Sequence, residues 1–519
     1  MWHVRRRPRP GGIASSLLAL CLTAAPHAAA QTTPPPGLDA YVEQTMRAWH
    51  VPGVAIAIVV NDSVVLAKGY GVRELGKPDP VDAHTLFAIG SNTKLFTATA
   101  IGMMVDEGRM AWDEHATTYL PGFQLYDPWV TREITIRDLL SHRSGLGRRG
   151  DDLWYGSAYD RDEVLRRIRY LRPNTSFRSA FGYQNIMFLA AGQALAAAAG
   201  MRWDDVIAQR IFAPLGMRES NTSVEALHGQ RDVATPHLIL PTGVRAIPWR
   251  NIDNVAPAGS INSNVSDMAQ WLRLLLGNGA YGGRPLIRAQ TLAEIESPQT
   301  IVPSRPDTLF PSTHFTLYGL GIGMRDYLGR KVLAHSGGID GMLSEVRVVP
   351  EARLGFVILT NAEGHLLGPA LAMRILDAYL GAPPRDWSAI YLAMFQRARA
   401  QQDSAERALV AARVRGTHPS LPLERYVGTY ADTMYGTATV ALERGALVVR
   451  YGPAFTGDLE HWHYDTFRVR WRDPRAAPVF VTFGLGPAGT VTHMNVDGLA
   501  DFHFISDSTT KPTAASRDE

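Results

Sequence analysis

The apolar positions change period several times along the chain. Leu38, Val42, Met46 and Trp49 recur at helical spacing and predict one amphipathic helix. "VPGVAIAIVVNDSVVLAKGYG" follows, and reads as two strands joined by a turn at Asn61-Asp62. In "FAIGSNTKLFTATAIGMMVDEG" (87–108) a strand-like run becomes a helix that begins near Ser91, with Gly108 placed to end it. Helical patterns dominate from there to about Leu276. Strand patterns return between 318 and 361, in "YGLGIGM", "KVLAHSGG", "LSEVRVVP" and "LGFVILTN", and a helix runs on to about Tyr379. Early and late strands therefore bracket a helical insertion. The pattern predicts an α+β fold: a mostly antiparallel sheet covered by its first and last helices, an inserted all-α lobe, and a cleft between the two lobes.

This unit is placed at 38–382. "PPRDW" ends it, and a helical connector is expected over 383–417, with the Ala/Arg-rich stretch 388–413 as one helix. From "YVGTYAD" to "DFHFIS" short strands alternate with Gly turns, which predicts a small β-barrel over 418–508; residues 509–519 read as a disordered tail. At the other end, Arg5, Arg6, Arg7 and Arg9 precede the apolar run Ile13–Ala25 and the small residues Ala28-Ala29-Ala30. Residues 1–30 thus read as a cleavable signal peptide, and 31–37 as a Pro-rich linker. A secreted or periplasmic protein is expected. A lipoprotein signal at "LALC" is disfavoured because bulky Leu20 stands where a small residue is needed.

Charge changes the picture once the signal is set aside. Residues 1–30 carry four Arg and no acid, which leaves 48 basic against 49 acidic residues. Nothing electrostatic argues for nucleic-acid binding. Cys21 is the only cysteine and lies in the signal, so disulfides, thiol nucleophiles and Cys-based zinc sites are excluded from the mature chain. No later run is apolar enough to anchor the chain in a membrane.

Three short strings carry candidate chemistry. Ser91 and Lys94 are one helical turn apart, so the ammonium can reach the hydroxyl at a helix start, where the potential favours a developing alkoxide. Tyr183 and Asn185 precede an Ala-rich helix; a phenol near a Lys can serve as a general base, and an amide can hold a substrate carbonyl or the Lys. His335-Ser336-Gly337-Gly338 ends a strand-like run, where glycines allow a backbone edge to approach a ligand and lend an N–H to an oxyanion. Each string alone also has a structural reading: a capping Ser with a solvent-facing Lys, a packed Tyr with an N-capping Asn, a turn with a structural His.

Together and in this order, Ser91-x-x-Lys94, Tyr183-x-Asn185 and His335-Ser336-Gly337 resemble the serine β-lactamase and penicillin-binding-protein superfamily. The branch is that of class C β-lactamases, D-stereospecific aminopeptidases and related esterases. "ITIRDLLSHRSGL", "RIFAPLGM", "PAGSINSNVSDMAQWL" and "FVILTNAEG" look like the same branch, and the resemblance covers about residues 38–380. It implies Ser91 as nucleophile, Lys94 as its activating partner, Tyr183 as general base, Asn185 as orienting group, and the N–H groups of Ser91 and Gly338 as oxyanion donors. No cofactor and no metal are implied. His335 stands where the family usually has the Lys of K-T-G, and no S-D-N tripeptide is present. A neutral His grips a substrate carboxylate weakly. The ranking that results is a peptidase or amidase on small D-amino-acid or peptidoglycan-like peptides, then a carboxylesterase, then a β-lactamase. A sensor that is acylated without turnover is the alternative of another class.

The C-terminal strings "YVGTYAD", "LEHWHYDTFRVRW" and "VTFGLGPAGTVTHMNVD" resemble the lipocalin-like barrel found behind such hydrolases, which implies a cap over the cleft or a homo-oligomer contact. His461, His463 and His493 invite a metal reading, set aside because no further ligand is placed by spacing. His142 reads as loop bracing, 148–163 as a solvated loop at the cleft mouth, and "GLGIG" as a glycine-rich strand edge without the Lys of a phosphate loop.

Overall fold

A computed structural model describes residues 33–506 apart from 149, 151–152, 305–308 and 312. Residues 1–30, read above as a signal peptide, and 509–519, read as a tail, lie outside the described residues. Helix α1 (Leu38–Trp49) buries Leu38, Val42, Met46 and Trp49 in one stripe. Strands β1 (Gly53–Val60) and β2 (Ser63–Gly71) form a hairpin whose turn starts at Asn61, with φ 59°. Every residue of β1 is buried, because both faces of the sheet are covered. Val54, Ile56, Ile58 and Val60 face a core built with α1 and the late helix, whereas Ala55, Ala57 and Val59 face the helical lobe.

The remaining strands of this sheet are β3 (Thr300–Ile301), β4 (Thr316–Tyr318), β5 (Gly323–Tyr327), β6 (Arg330–Ile339), β7 (Met342–Val349) and β8 (Leu354–Thr360). The order is β2-β1-β8-β7-β6-β5-β4-β3, antiparallel throughout. "YGLGIGM" is not one strand edge: it crosses from β4 to β5 through a turn at Gly319–Ile322. Gly321, at φ 81°, presses there on the backbone of Lys94, since a Cβ would stand 2.8 Å from the Lys94 oxygen. The strand-like run before Ser91 is realised at Phe87–Ala88, which pairs with Asn262–Ser263. Asn262–Ser263 and the pair His237–Leu240 with Gly243–Ala246 are short strands within the helical stretch that its pattern did not reveal. Pairings of two to four residues are too short to show alternation.

Helix α2 (Thr93–Asp106) is buried at every position from Thr93 to Met104, which makes it the axis of the helical lobe. Helices α3 (Asn185–Ala199) and α4 (Val265–Leu276) pack in the same core, and α5 (Leu367–Leu380) covers the opposite sheet face. Helix α6 (Trp387–Ala411) leads to a closed barrel of eight antiparallel strands between Gly428 and Ser506, each paired with the next and the first with the last. Its buried positions alternate, as Ala438 and Val440, Phe467 and Val469, Val481 and Phe483. This barrel interior is continuous with the core of the helical lobe.

Candidate active site

Ser91 sits in a 3-10 turn, Gly90–Asn92, that feeds directly into α2. The turn is clamped from the sheet. Ser344 on β7 donates to the Ile89 carbonyl at 2.7 Å and accepts from Asn92 Nδ2 at 2.7 Å. Gly337 on β6 lies so close that a Cβ would stand 1.9 Å from the Ile89 oxygen. Gly90, at φ 51°, also comes close to the strand: its Cβ would stand 2.7 Å from the Gly338 nitrogen. The two glycines are therefore required by the approach of strand to turn, and that approach brings the backbone N–H of Gly338 beside the Ser91 turn.

Lys94 follows one turn later and is fully buried. Its Nζ lies 2.8 Å from each of three neutral oxygens: Ser91 Oγ, Asn185 Oδ1 and the Ala258 carbonyl. Those contacts match the three donors of an ammonium. The cation also faces the rings of Tyr183, at 4.9 Å, and Phe188, at 5.3 Å. Ala258 is brought in by the one-turn helix Ala256–Gly259, where Pro257 accepts from Thr97 Oγ1 on α2. Tyr183 donates to Ser91 Oγ at 2.7 Å. The hydroxyl of Ser91 is thus held by a phenol and an ammonium at once.

Gln184, not Asn185, caps α3: its side chain accepts from the Ile186 N–H, which leaves Asn185 turned to Lys94. His142 braces this segment, since its Nδ1 accepts from the Gln184 N–H at 3.1 Å and its ring lies 4.2 Å from that of Tyr183. Burial, with the Lys94 charge adding, holds its pKa well below the usual value, so it stays neutral.

His335 is buried as well. Its Nδ1 lies 2.7 Å from the Ser336 carbonyl and must carry the proton; Nε2 then accepts from the Tyr318 hydroxyl at 3.0 Å. Burial, reinforced by the Lys94 charge, pushes its pKa down to about 3. Both ring nitrogens are committed inside the protein, so His335 lines the cleft as a neutral ring rather than as a cationic carboxylate grip. Ser336 projects on the alternate side of β6, opposite Glu345, and is exposed.

A cavity of about 530 Å³ joins these groups. Ser91, Tyr183, Asn185 and residues 335–338 line it. It continues round the edge of β6, whose pairing with β5 stops at Ala334, to Glu345 and His365. Arg148 and Trp154 line it too, and the Arg148 guanidinium lies 4.8 Å over the Tyr183 ring. The segment read as a solvated loop is in fact a wall of the cleft, with Leu153 fully buried. The Trp154-Tyr155 pair in a polar run was the available signal. The barrel histidines stay apart from this site: His461 Nε2 lies 2.9 Å from the Tyr464 carbonyl, while His493 packs against Gly484. Among the described residues no group of three or more metal-ligating side chains gathers.

The β-lactamase family profile matches residues 38–380, and a domain of unknown function (DUF3471) matches 412–511. The unguisins hydrolase ungD' of Aspergillus campestris is 30% identical over 421 residues, covering 77% of this chain and 76% of that protein. Penicillin-binding protein 4 of Amycolatopsis lactamdurans is 30% identical over 359 residues, covering 65% and 90%. Among solved structures, the octameric penicillin-binding protein homologue of Pyrococcus abyssi superposes with a TM-score of 0.61 at 22% identity, covering 90% of this chain and 99% of that one. The D-amino acid amidase of Ochrobactrum anthropi gives 0.53 at 22% identity over 66% and 97%. With its matched profile, its hydrolase relatives and this fold, the chain belongs to the β-lactamase and penicillin-binding-protein superfamily and is a serine hydrolase.

Proposed function

We propose that the protein is an exported amidohydrolase that cleaves small D-amino-acid or peptidoglycan-like peptides through an acyl-enzyme on Ser91. The observation that carries this reading is the position of Ser91 Oγ, 2.7 Å from the Tyr183 hydroxyl and 2.8 Å from Lys94 Nζ. The buried ammonium stabilises the phenolate form of Tyr183. As phenolate, Tyr183 takes the Ser91 proton while Oγ adds to the substrate carbonyl. The N–H groups of Ser91 and Gly338 hold the oxyanion, each contributing about 3 kcal/mol. The C–N bond then breaks, and the proton on Tyr183 goes to the leaving amine. A water activated by Tyr183 repeats the attack on the ester and frees Ser91. Asn185 keeps Lys94 in place throughout.

The neutral, doubly bonded His335 weighs against substrates read by a free carboxylate at that strand, as a carboxypeptidase or β-lactamase would require. A D-amino acid amidase among the structural neighbours supports an amide substrate. A carboxylesterase uses the same machinery and is the second reading. Assembly through the barrel belongs to the proposal, in keeping with the octamer of the Pyrococcus homologue. Steady-state turnover of the mature protein and its Ser91→Ala variant on D- and L-aminoacyl p-nitroanilides, p-nitrophenyl esters and a chromogenic cephalosporin tests the reading. Ser91-dependent release from D-aminoacyl anilides is expected. Release from esters alone would move the assignment to an esterase. Stoichiometric acylation without release would make it a sensor.

A further inference from the structure

The barrel touches the catalytic lobe through a cluster of buried charges. Asp340 stands at the tip of the β6–β7 hairpin, two residues beyond Gly338. Arg250, 8% exposed, pairs with Asp340 through Nε and reaches Asp473 of the barrel at 3.3 Å. Arg475 of the barrel pairs with Asp473 at 2.5 Å and with Asp340 at 3.3 Å. Tyr155 donates to Asp340 at 2.8 Å and lies beneath the Arg250 guanidinium at 4.4 Å. Two cations and two anions thus close on one another, with Asp340 at the centre.

The cluster holds two parts of the cleft. One is the end of β6, because Asp340 follows directly on the segment that carries Gly338. The other is the cleft wall, because Trp154 precedes Tyr155. The barrel grips that wall a second time. Gly156 sits where a Cβ would stand 2.8 Å from Ala454 and 2.9 Å from Phe455, and Tyr159 donates to the Tyr435 carbonyl at 2.7 Å. Arg167 adds a bond to the Met434 carbonyl at 2.7 Å. None of these contacts reaches Ser91; those of Asp340 and Tyr155 fix segments whose neighbours, Gly338 and Trp154, line the cavity that Ser91 opens into.

We infer that the barrel is a working part of the catalytic site, with Arg475 as a positioning residue that sets the Gly338 N–H and the Trp154 wall through Asp340. The inference rests on the reading of Ser91 as nucleophile. The test is the rate at which a fluorophosphonate phosphonylates Ser91, a step in which Oγ bonds to phosphorus, fluoride leaves and the hydroxyl proton passes to the base. Parent protein, Arg475→Ala, Arg475→Lys and Arg470→Ala are compared. Arg470 is an exposed barrel residue paired with Glu460, and serves as control. Arg475→Ala is expected to label about tenfold more slowly yet to the same final stoichiometry, Arg475→Lys to recover part of the rate, and Arg470→Ala to match the parent. A lower final stoichiometry in Arg475→Ala would signal misfolding, and Arg475→Lys then decides: a slower rate at full stoichiometry supports the inference, the parental rate overturns it. Labelling of Arg475→Ala at the parental rate also overturns it. Failure of the parent itself to label at Ser91 would contradict the nucleophile reading instead.

Discussion

Two of the buried charge clusters among the described residues are built in opposite ways. At Lys94 a cation is ringed by neutral oxygens and aromatic faces. At Asp340 each charge meets an opposite charge, Arg250 and Arg475 against Asp340 and Asp473. Matched pairs return much of the desolvation cost and fix geometry, so the second cluster is a fastening. Neutral neighbours leave the field of Lys94 to act on the hydroxyl and the phenol beside it, so the first is a place for chemistry. The lesson is that burial of a charge alone does not mark function; the character of its neighbours does.

The comparison can be broken by one substitution made at both sites. Lys94→Met is expected to lower turnover on the order of a thousandfold, within the range for loss of a group that supports general base catalysis. Its stability should stay within about 1.5 kcal/mol of the parent, since relief from a buried charge offsets the donors lost by Asn185 and Ala258. Arg250→Met should reverse the ranking in stability, with a loss of about 3–5 kcal/mol from the uncompensated acids. Denaturant unfolding beside turnover reads both quantities. Equal stability losses at the two sites would dissolve the distinction.

His335 sharpens the comparison further, as a titratable group beside Lys94 that is kept neutral. Its folded pKa of about 3 lies below the ordinary value of 6.5. The unfolded chain therefore binds the proton first as pH falls. The stability this group contributes is complete above about 6.5 and is lost progressively towards pH 3. His335→Gln, which can keep a donor and an acceptor, should flatten the fall of stability between pH 6.5 and 4 and leave the pH dependence of turnover above pH 6 unchanged. An unchanged stability slope would mean that His335 is not the buried neutral base described. The smallest effect belongs to the exposed pair Arg470–Glu460, where Arg470→Ala should cost less than about 0.5 kcal/mol.

The legible part of the site was the part written locally. Ser91 and Lys94 are one helical turn apart, and Tyr183 and Asn185 flank a helix start, so spacing alone put each pair on one face. The antiparallel sheet was legible from β-branched runs such as "LGFVILTN", and the barrel from its alternation. The segment of Arg148 and Trp154 was legible as lying at the cleft mouth but not as its wall, and Tyr318 was not legible, because its contact with His335 is made by packing between separate strands. Asp340 and Arg475 are separated by more than a hundred residues, and no pattern in either neighbourhood announces the other. "GLGIG" shows the same limit. Its glycines are explained by the approach of Gly321 to the Lys94 backbone, a contact that only the folded chain makes.

The most direct test of the central claim is to trap the acyl group. The mature protein is mixed with a slow p-nitrophenyl ester, quenched in acid during turnover, and analysed by intact mass and peptide mapping. The account predicts one acyl group on the peptide that carries Ser91, and none in Ser91→Ala. Turnover with an acyl group on any other residue, or with the same adduct in Ser91→Ala, would contradict it.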